Sequence, residues 1–304
     1  MQDLKYLQHQ FSIQEQLDFE QKDSGLIDIV VHNQYARARI STYGGQVLSY
    51  YPHGSDADLL FVSDKAIFRP GKAIRGGIPI CWPWFGNDTS GLGRPSHGFA
   101  RNHQWTVVET AQQADGTTRI VLQLAASDAS LSVWPYHFLL TLIVQVADTL
   151  TVELITQNTG RTLFALSQAL HSYLNISDVG KVRIDNLGQV DYQDKLDKFK
   201  TKTQNGELHI DQALDRIYLH PSARIMLEDA GLSRKIQIDS GADHPWQTVI
   251  WNPWKKAVMG IRDLRQTHYR QFVCIETAHA LPHAIKLAAG KQTRLTATYR
   301  MIAD

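Results

Sequence analysis

The stretch Arg294-Leu-Thr-Ala-Thr-Tyr-Arg-Met301 alternates strictly between polar and apolar side chains. Its apolar members, Leu295, Ala297, Tyr299 and Met301, recur at every second residue, which places them on one face of an extended chain. Such alternation is typical of an antiparallel strand that has one face in the core and the other in water. The stretch therefore predicts a half-buried β-strand.

The same two-residue period recurs along most of the chain. In residues 118–124 it places Ile120, Leu122 and Leu124 on one face, and residues 138–146 and 150–156 are joined by the tight connection Ala147-Asp148-Thr149. Segments with a helical period longer than ten residues are almost absent. Further predicted strands, divided by turn-forming residues, are residues 26–32, 35–40, 46–51, 59–62, 181–184, 216–219, 224–227, 235–238 and 247–251.

This pattern predicts an all-β protein, a single large antiparallel β-sandwich over residues 25–304. A propeller would need an internal repeat, and the sequence has none. Residues 1–24 are predicted to be an N-terminal extension, where Leu4, Leu7 and Phe11 indicate a short helix or an extra edge segment.

Composition excludes several classes of protein. The 304 residues are 43% hydrophobic and 20% charged, with a net charge of +1 and no run of five basic residues, so a nucleic-acid partner is not predicted. No signal-peptide core and no apolar window of membrane-spanning length occur, and only two cysteines are present. We therefore expect a cytoplasmic protein without a membrane partner and without a disulfide framework.

Unusual chemistry concentrates in Arg75-Gly-Gly-Ile-Pro-Ile-Cys-Trp-Pro-Trp-Phe-Gly86 and in the residues that follow it to Arg101. Six glycines, three prolines and two tryptophans fall within these 27 positions, which rules out a regular helix or a long central strand. We predict a shaped loop. Its end residues Arg75 and Arg101 could bind an anion or simply lie at the surface, and its aromatic residues Trp82, Trp84 and Phe85 could form a wall for a sugar ring or belong to the core.

Two polar residues lie in otherwise apolar strands. Glu276 shares a face with Cys274 in Phe272-Val-Cys-Ile-Glu-Thr277, and it either pairs with an arginine or has the raised pKa of a general base. His171 is either a hydrogen-bonded core residue or a catalytic one. The pair His279 and His283 has the spacing of two metal ligands on a helix, but Pro282 between them makes a helix unsuitable, so no metal site is predicted.

The chain resembles the glucose-6-phosphate 1-epimerases, the hexose-6-phosphate mutarotases of the aldose 1-epimerase superfamily. The resemblance spans about residues 25–302 and rests on six blocks in the family's order. These are Arg75-Gly-Gly-Ile-Pro-Ile-Cys-Trp-Pro-Trp-Phe-Gly86, His97-Gly-Phe-Ala-Arg101, Leu170-His-Ser-Tyr173, Leu214-Asp-Arg-Ile-Tyr218, Val249-Ile-Trp-Asn-Pro-Trp254 and Phe272-Val-Cys-Ile-Glu276.

The resemblance implies a galactose-mutarotase-like β-supersandwich with an active site free of metal and cofactor. It implies that Glu276 is the general base for the anomeric hydroxyl, that His171 is the acid for the ring oxygen and that His97 is a second histidine near that oxygen. Substrate-binding roles follow for Asp215, on sugar hydroxyls, and for Arg75 and Arg101, on a 6-phosphate. We add Ser96, where relatives often have Gln, and Trp82 as predicted substrate contacts.

The expected reaction is therefore the interconversion of the α and β anomers of an aldohexose 6-phosphate, first of all glucose 6-phosphate, by a monomer. Two alternatives stay open: a non-catalytic sugar-phosphate sensor on the same fold, and an aldose 1-epimerase that acts on unphosphorylated sugars. A glycoside hydrolase or lyase would need a second catalytic carboxylate or a Tyr/Lys base, and Asp215 is the only candidate.

Overall fold

Named strands pair only in the antiparallel sense in the computed structural model of the protein, which describes residues 2–88, 90–280 and 285–303. Three α-helices occur within these ranges: α1 (Leu4–Phe11), α2 (Asp128–Val133) and α3 (Trp254–Ala257). Short 3₁₀ turns cover Ala100–Asn102, Val179–Lys181, Lys195–Asp197, Ala230–Leu232, Val258–Gly260 and His268–Arg270.

The strands are, in chain order, β1 (Leu17–Gln21), β2 (Ile27–His32), β3 (Ala36–Ser41), β4 (Gln46–Pro52), β5 (Ile80–Cys81), β6 (Thr106–Gln112), β7 (Thr118–Ala125), β8 (Phe138–Val146), β9 (Thr149–Asn158), β10 (Phe164–Leu166), β11 (Gln168–Leu170), β12 (Tyr173–Asn175), β13 (Val182–Asp185), β14 (Asp191–Asp194), β15 (Lys200–Thr203), β16 (Leu208–His209), β17 (Leu214–Leu219), β18 (Arg224–Asp229), β19 (Arg234–Ala242), β20 (Gln247–Asn252), β21 (Phe272–His279), β22 (Ile285–Leu287) and β23 (Gln292–Ala303).

A nine-stranded sheet forms the back of the molecule, in the order β16-β13-β18-β19-β23-β9-β8-β7-β6. Its strands have the predicted alternation: β8 and β9 bury every second residue, and Ile120, Leu122 and Leu124 of β7 are all buried. The last strand, β23, lies at the centre of this sheet, between β19 and β9, with Leu295, Ala297 and Tyr299 fully buried. The antiparallel β-sandwich predicted from this period is confirmed.

An eight-stranded sheet packs on this back sheet, with the order β15-β14-β17-β20-β21-β11-β5 and β12 also paired to β21. Hydroxyl groups join the two layers: Ser172 bonds to Tyr299, and Ser240 Oγ lies 2.7 Å from Thr277 Oγ1. All eight residues of β21 are buried. One face of this strand meets the back sheet, so the other face is covered by the segments that build the site below.

The N-terminal segment joins a third sheet, β1-β2-β3-β4. The predicted short helix is α1, capped by Asp3, and the predicted edge segment is β1, which pairs along its whole length with β2. Both anticipated forms are therefore present together. The segment buries Leu7, Leu17 and Phe19 in the main core.

One predicted strand is wrong. Residues 59–62 do not form a regular strand, because their backbone makes isolated bridges with two different partners: Leu60 pairs with Leu174, and Val62 pairs with Gly76. Without one continuous partner the apolar run does not build a ladder, although Leu59 and Leu60 are buried as the run suggested. Among the described helices, none is long and apolar enough to cross a membrane.

Candidate active site

A cleft of about 250 Å³ opens on the outer face of the eight-stranded sheet. Seven of the eight residues predicted to form the site line it, although they come from four separate parts of the chain. The lining residues are Arg75, Phe85, Ser96, His97, Arg101, His171, Tyr173, Lys195, Asp215, Val249, Trp251 and Glu276.

The floor of the cleft follows from strand register. Directly paired residues present their side chains on the same face of a sheet. Asp215 of β17 pairs with Trp251 of β20, which pairs with Cys274 of β21, and Cys274 also pairs with Tyr173 of β12. The neighbouring row contains Ile217, Val249 and Glu276. Two adjacent rows of one face therefore bring Asp215, Tyr173 and Glu276 together.

His171 lies in the break between β11 and β12, across from Glu276. Its amide donates to the Pro79 carbonyl at 3.1 Å, which attaches this break to the Arg75–Arg101 loop. The His171 Nε2 atom lies 3.3 Å from Glu276 Oε1, and both side chains are almost inaccessible to solvent. The other polar atoms of the pair, His171 Nδ1 and Glu276 Oε2, are buried without a protein partner, so a ligand in the cleft could satisfy them.

Burial shifts the protonation of this pair. Desolvation raises the pKa of Glu276 well above its ordinary value of 4.5, and the charge of Asp215 adds to this effect. Desolvation also lowers the pKa of His171 well below 6.5, assisted by neighbouring His97, Arg101 and Arg75. Both shifts favour the form in which the Glu276 carboxyl holds the proton and the His171 imidazole is neutral. A neutral pair and an ion pair differ only by the transfer of that proton from Glu276 to His171.

The predicted shaped loop is confirmed: in the part of residues 75–101 that the structure describes, regular structure is limited to the two-residue β5 and the start of one 3₁₀ turn. Two segments of this loop meet at Gly98, where the backbone has a φ of +70° and a Cβ would lie 1.9 Å from the Trp82 carbonyl oxygen. The next amide, that of Phe99, donates to the same oxygen at 2.9 Å. Only glycine fits this approach.

His97 precedes this closure and points its ring at the catalytic candidates. Its ring centroid lies 5.4 Å from that of His171 and 5.0 Å from that of Phe85. Desolvation, followed by the charges of Arg101, Lys195 and Arg75, lowers the pKa of His97 to about 3. At neutral pH His97 is therefore uncharged, which suits a hydrogen-bonding role better than that of a proton-donating imidazolium.

The two predicted anion ligands differ in their surroundings. Arg75 is held by the protein: Nε donates to Asp263 Oδ1 at 3.1 Å and Nη1 donates to the Tyr173 hydroxyl at 2.9 Å. Arg101 donates from Nη2 to the Ser96 carbonyl at 2.9 Å, and its buried Nε has no protein partner. Arg101 thus has a guanidinium nitrogen, Nε, that no protein group satisfies.

Asp215 forms an ion pair with Lys195, a residue that the sequence analysis did not assign to the site. Lys195 Nζ lies 2.7 Å from Asp215 Oδ2, and the lysine comes from the turn between β14 and β15. Burial raises the pKa of Asp215, while the charge of Lys195 opposes that shift. Ser96, at the rim, uses its hydroxyl to bond Asn87 Oδ1 at 2.8 Å.

Trp82 is the predicted site residue that the structure keeps out of the cleft. Its side chain is fully buried and packs edge-on against Phe99 and Trp134 and tilted against Phe138. The prediction of a substrate contact is therefore wrong for Trp82, and its core alternative is correct. The wall facing the cleft is Phe85, three residues later.

Sequence reasoning assigned no role to Tyr173, Trp251, Val249 or Lys195. The first three belong to blocks that carried the family resemblance, so a signal for them existed. Lys195 lies outside every such block, and no local pattern marks it. Its place in the site depends on the pairing of β14 with β17.

One set of side chains could hold a metal ion in the described chain. Ligand atoms of His171, Cys274 and Glu276 all lie within 4.8 Å of one another. His279 is buried and bonded to Gln168, whereas His283 lies outside the described residues, so the predicted lack of a site at that pair stays a prediction.

Comparisons with known proteins agree with this arrangement. A family model described as "Aldose 1-epimerase" matches residues 28–300. A protein of Escherichia coli (strain K12) named "Putative glucose-6-phosphate 1-epimerase" is 34% identical over 253 residues, 83% of each chain. A protein of the same name from Cenchrus ciliaris is 34% identical over 281 residues, which cover 89% of this chain and 83% of that protein.

The fold agrees as well. A crystal structure from Salmonella typhimurium, titled as that of a "putative mutarotase", superposes with a TM-score of 0.89 at 32% identity and covers 97% of this chain and 96% of its own. The mutarotase-like supersandwich implied by the resemblance is thereby confirmed. The chain belongs to the aldose 1-epimerase family, and it is an isomerase of the mutarotase kind.

Proposed function

We propose that the protein interconverts the α and β anomers of an aldohexose 6-phosphate, and that glucose 6-phosphate is its substrate. One observation carries the proposal. The buried imidazole of His171 and the buried carboxyl of Glu276 lie 3.3 Å apart in a cleft of hexose size that is also lined by Arg75 and Arg101. The names of the relatives from Escherichia coli and Cenchrus ciliaris support the same substrate.

The reaction uses the single proton of the His171–Glu276 pair. In the ion-pair form, Glu276 takes the proton of the anomeric hydroxyl while His171 protonates the ring oxygen, so that the C1–O5 bond breaks and the free aldehyde forms. The pair is then neutral, the form that burial favours. Rotation about C1–C2 exposes the other carbonyl face, and the reverse transfers close the ring as the other anomer.

The other lining residues bind and orient the sugar. Arg101, with its unpaired Nε, and Arg75 suit a phosphate, because guanidinium groups bind oxyanions through two parallel hydrogen bonds. Neutral His97 hydrogen-bonds near the ring oxygen, and Asp215 with Lys195 offers an acceptor and a donor to ring hydroxyls. Since one chain supplies all these groups, we propose that a monomer is active, which light scattering of the active enzyme tests.

Exchange between the anomers of glucose 6-phosphate, followed by NMR, tests the function. We expect catalysis by the wild type and a loss of roughly 10²–10⁴-fold in Glu276→Gln and in His171→Asn. Glu153→Gln and His209→Asn, which change a carboxyl on β9 and an exposed histidine, are matched controls and should retain full activity. Exchange at the uncatalysed rate with wild type would refute the proposed reaction.

The same assay with free glucose tests the phosphate. Arg101→Ala should lower kcat/KM for glucose 6-phosphate by about 10–100-fold, the cost of a lost charge-assisted hydrogen bond. It should change the reaction of free glucose far less, and Arg270→Ala, at an exposed arginine outside the cleft, should change neither. An equal loss on both sugars would favour an aldose 1-epimerase for unphosphorylated substrates.

A further inference from the structure

Cys274 lies directly beneath the catalytic candidates and has no part in the proposed reaction. It precedes Glu276 by two residues on β21, so both side chains leave the strand on the cleft face. Its sulfur, a His171 ring nitrogen and a Glu276 carboxylate oxygen lie within 4.8 Å of one another. Two of these groups also retain unsatisfied buried atoms, His171 Nδ1 and Glu276 Oε2.

The spacing of this triad fits a tetrahedral ion. Zinc binds imidazole nitrogen and carboxylate oxygen at about 2.0–2.1 Å, which places two such ligands roughly 3.3 Å apart at tetrahedral angles. The His171 Nε2 to Glu276 Oε1 distance is 3.3 Å. One edge of the tetrahedron is therefore already formed, and the cleft is open to a water molecule as fourth ligand.

The donor set selects the ion. A thiolate, an imidazole and a carboxylate suit Zn²⁺ and similar borderline-soft cations, whereas Mg²⁺ and Ca²⁺ prefer oxygen ligands alone.

We propose that His171, Cys274 and Glu276 form an inhibitory site for Zn²⁺. The bound ion would coordinate the proposed acid, His171, and the proposed base, Glu276, and so prevent the sugar from binding to them. The catalyst itself is metal-free in this scheme. Ion binding stands independently of the proposed function, while its inhibitory effect rests on that function.

Equilibrium binding tests the site without reference to activity. Zinc competed against a chromophoric chelator, and Co²⁺ followed by its thiolate charge-transfer absorption, should both bind the metal-free wild type. Cys274→Ala and the more conservative Cys274→Ser should each weaken zinc binding by at least about tenfold and abolish the cobalt–thiolate band. Cys81→Ala, at the other buried cysteine, should change neither.

Equal zinc affinity in wild type and in both Cys274 variants would overturn the site, as would a cobalt band that persists without Cys274. In the anomer-exchange assay zinc should raise the apparent KM, chelation should restore it, and Mg²⁺ should have no effect. Inhibition that more sugar phosphate does not relieve would overturn the competitive mechanism. Cys274-dependent zinc binding in a protein without anomer exchange would instead refute only the proposed function.

Discussion

At the scale of single residues, the site depends on burying groups that water would keep charged. Desolvation raises the pKa of Glu276 and lowers the pKa of His171, so burial favours the neutral form of each side chain. Because His171 Nε2 and Glu276 Oε1 lie 3.3 Å apart, a proton held by Glu276 can pass directly to His171. An acid and a base are thus available in one charge state, without exchange with solvent.

The burial of Glu276 should be visible in stability. The pKa of Glu276 is higher in the folded protein than in the unfolded chain, where it is near 4.5. The contribution of Glu276 to the free energy of unfolding is therefore greatest below pH 4.5. It falls as the pH rises toward the folded-state pKa, by up to about 1.4 kcal/mol per pH unit. Glu276→Gln lacks this loss. We expect its melting temperature to exceed that of wild type at pH 7.5 and to match it near pH 4, whereas Glu153→Gln should track wild type throughout. A constant difference across pH would contradict the assignment.

Tyr173 connects Arg75, the proposed phosphate ligand, to His171, the proposed acid, and we expect it to act as a positioning residue. Its hydroxyl accepts from Arg75 at 2.9 Å, and its ring stacks on His171 with centroids 5.0 Å apart. Tyr173→Phe removes only the first contact, so we expect KM for glucose 6-phosphate to rise about tenfold with kcat nearly unchanged. Tyr50→Phe, which removes a buried hydroxyl far from the cleft, is the control. A fall confined to kcat would show that Tyr173 acts on the chemistry instead.

At the scale of elements, the closure of the Arg75–Arg101 loop rests on Gly98. A methyl group there meets the Trp82 carbonyl at 1.9 Å and also requires a φ of +70°, so Gly98→Ala must displace backbone. Gly91 has a similar φ of +76° but open space around it, and Gly91→Ala should cost only the local strain of about 1–2 kcal/mol. Thermal unfolding and anomer exchange should both suffer markedly more in Gly98→Ala. Equal effects would show that strain alone matters.

The elements also show what the sequence could predict. A two-residue period determines which side chains share a face, so the strands and the common face of Cys274 and Glu276 were predictable. Periodicity does not reveal the partner of a strand. For this reason the strand predicted at residues 59–62 is wrong, and Lys195 is not predictable although the turn after β14 brings it to Asp215. The error at Trp82 has another cause: composition marks the shaped loop but does not tell which of its aromatic side chains enter the core.

At the scale of the whole molecule, the site is an outcome of sheet packing. The back sheet covers one face of β21 and leaves the other to carry Cys274 and Glu276. Three segments far apart in sequence, the loop from Arg75, the break at His171 and the turn at Lys195, then close over that face. No single segment contains the site, which explains why six separate sequence blocks were needed to indicate it.

The N-terminal segment, residues 1–24, should also contribute to the stability of the whole molecule. Although residues 1–24 read as an extension, α1 and β1 bury Leu7, Leu17 and Phe19, and each such side chain contributes about 1.5–3 kcal/mol. Deletion of residues 2–21 should therefore cost on the order of 5 kcal/mol, a large part of the stability of an ordinary domain.

Urea unfolding measures this cost. Phe19→Ala should lower stability by about 3–5 kcal/mol, while Tyr6→Ala, at a half-exposed ring in the same segment, should change it by less than about 0.5 kcal/mol. An unchanged midpoint after the deletion would make the segment a dispensable extension. A large loss would instead make β1 an integral strand, because β2, with Ile29 and Val31 fully buried, would then lose the pairing that covers its edge.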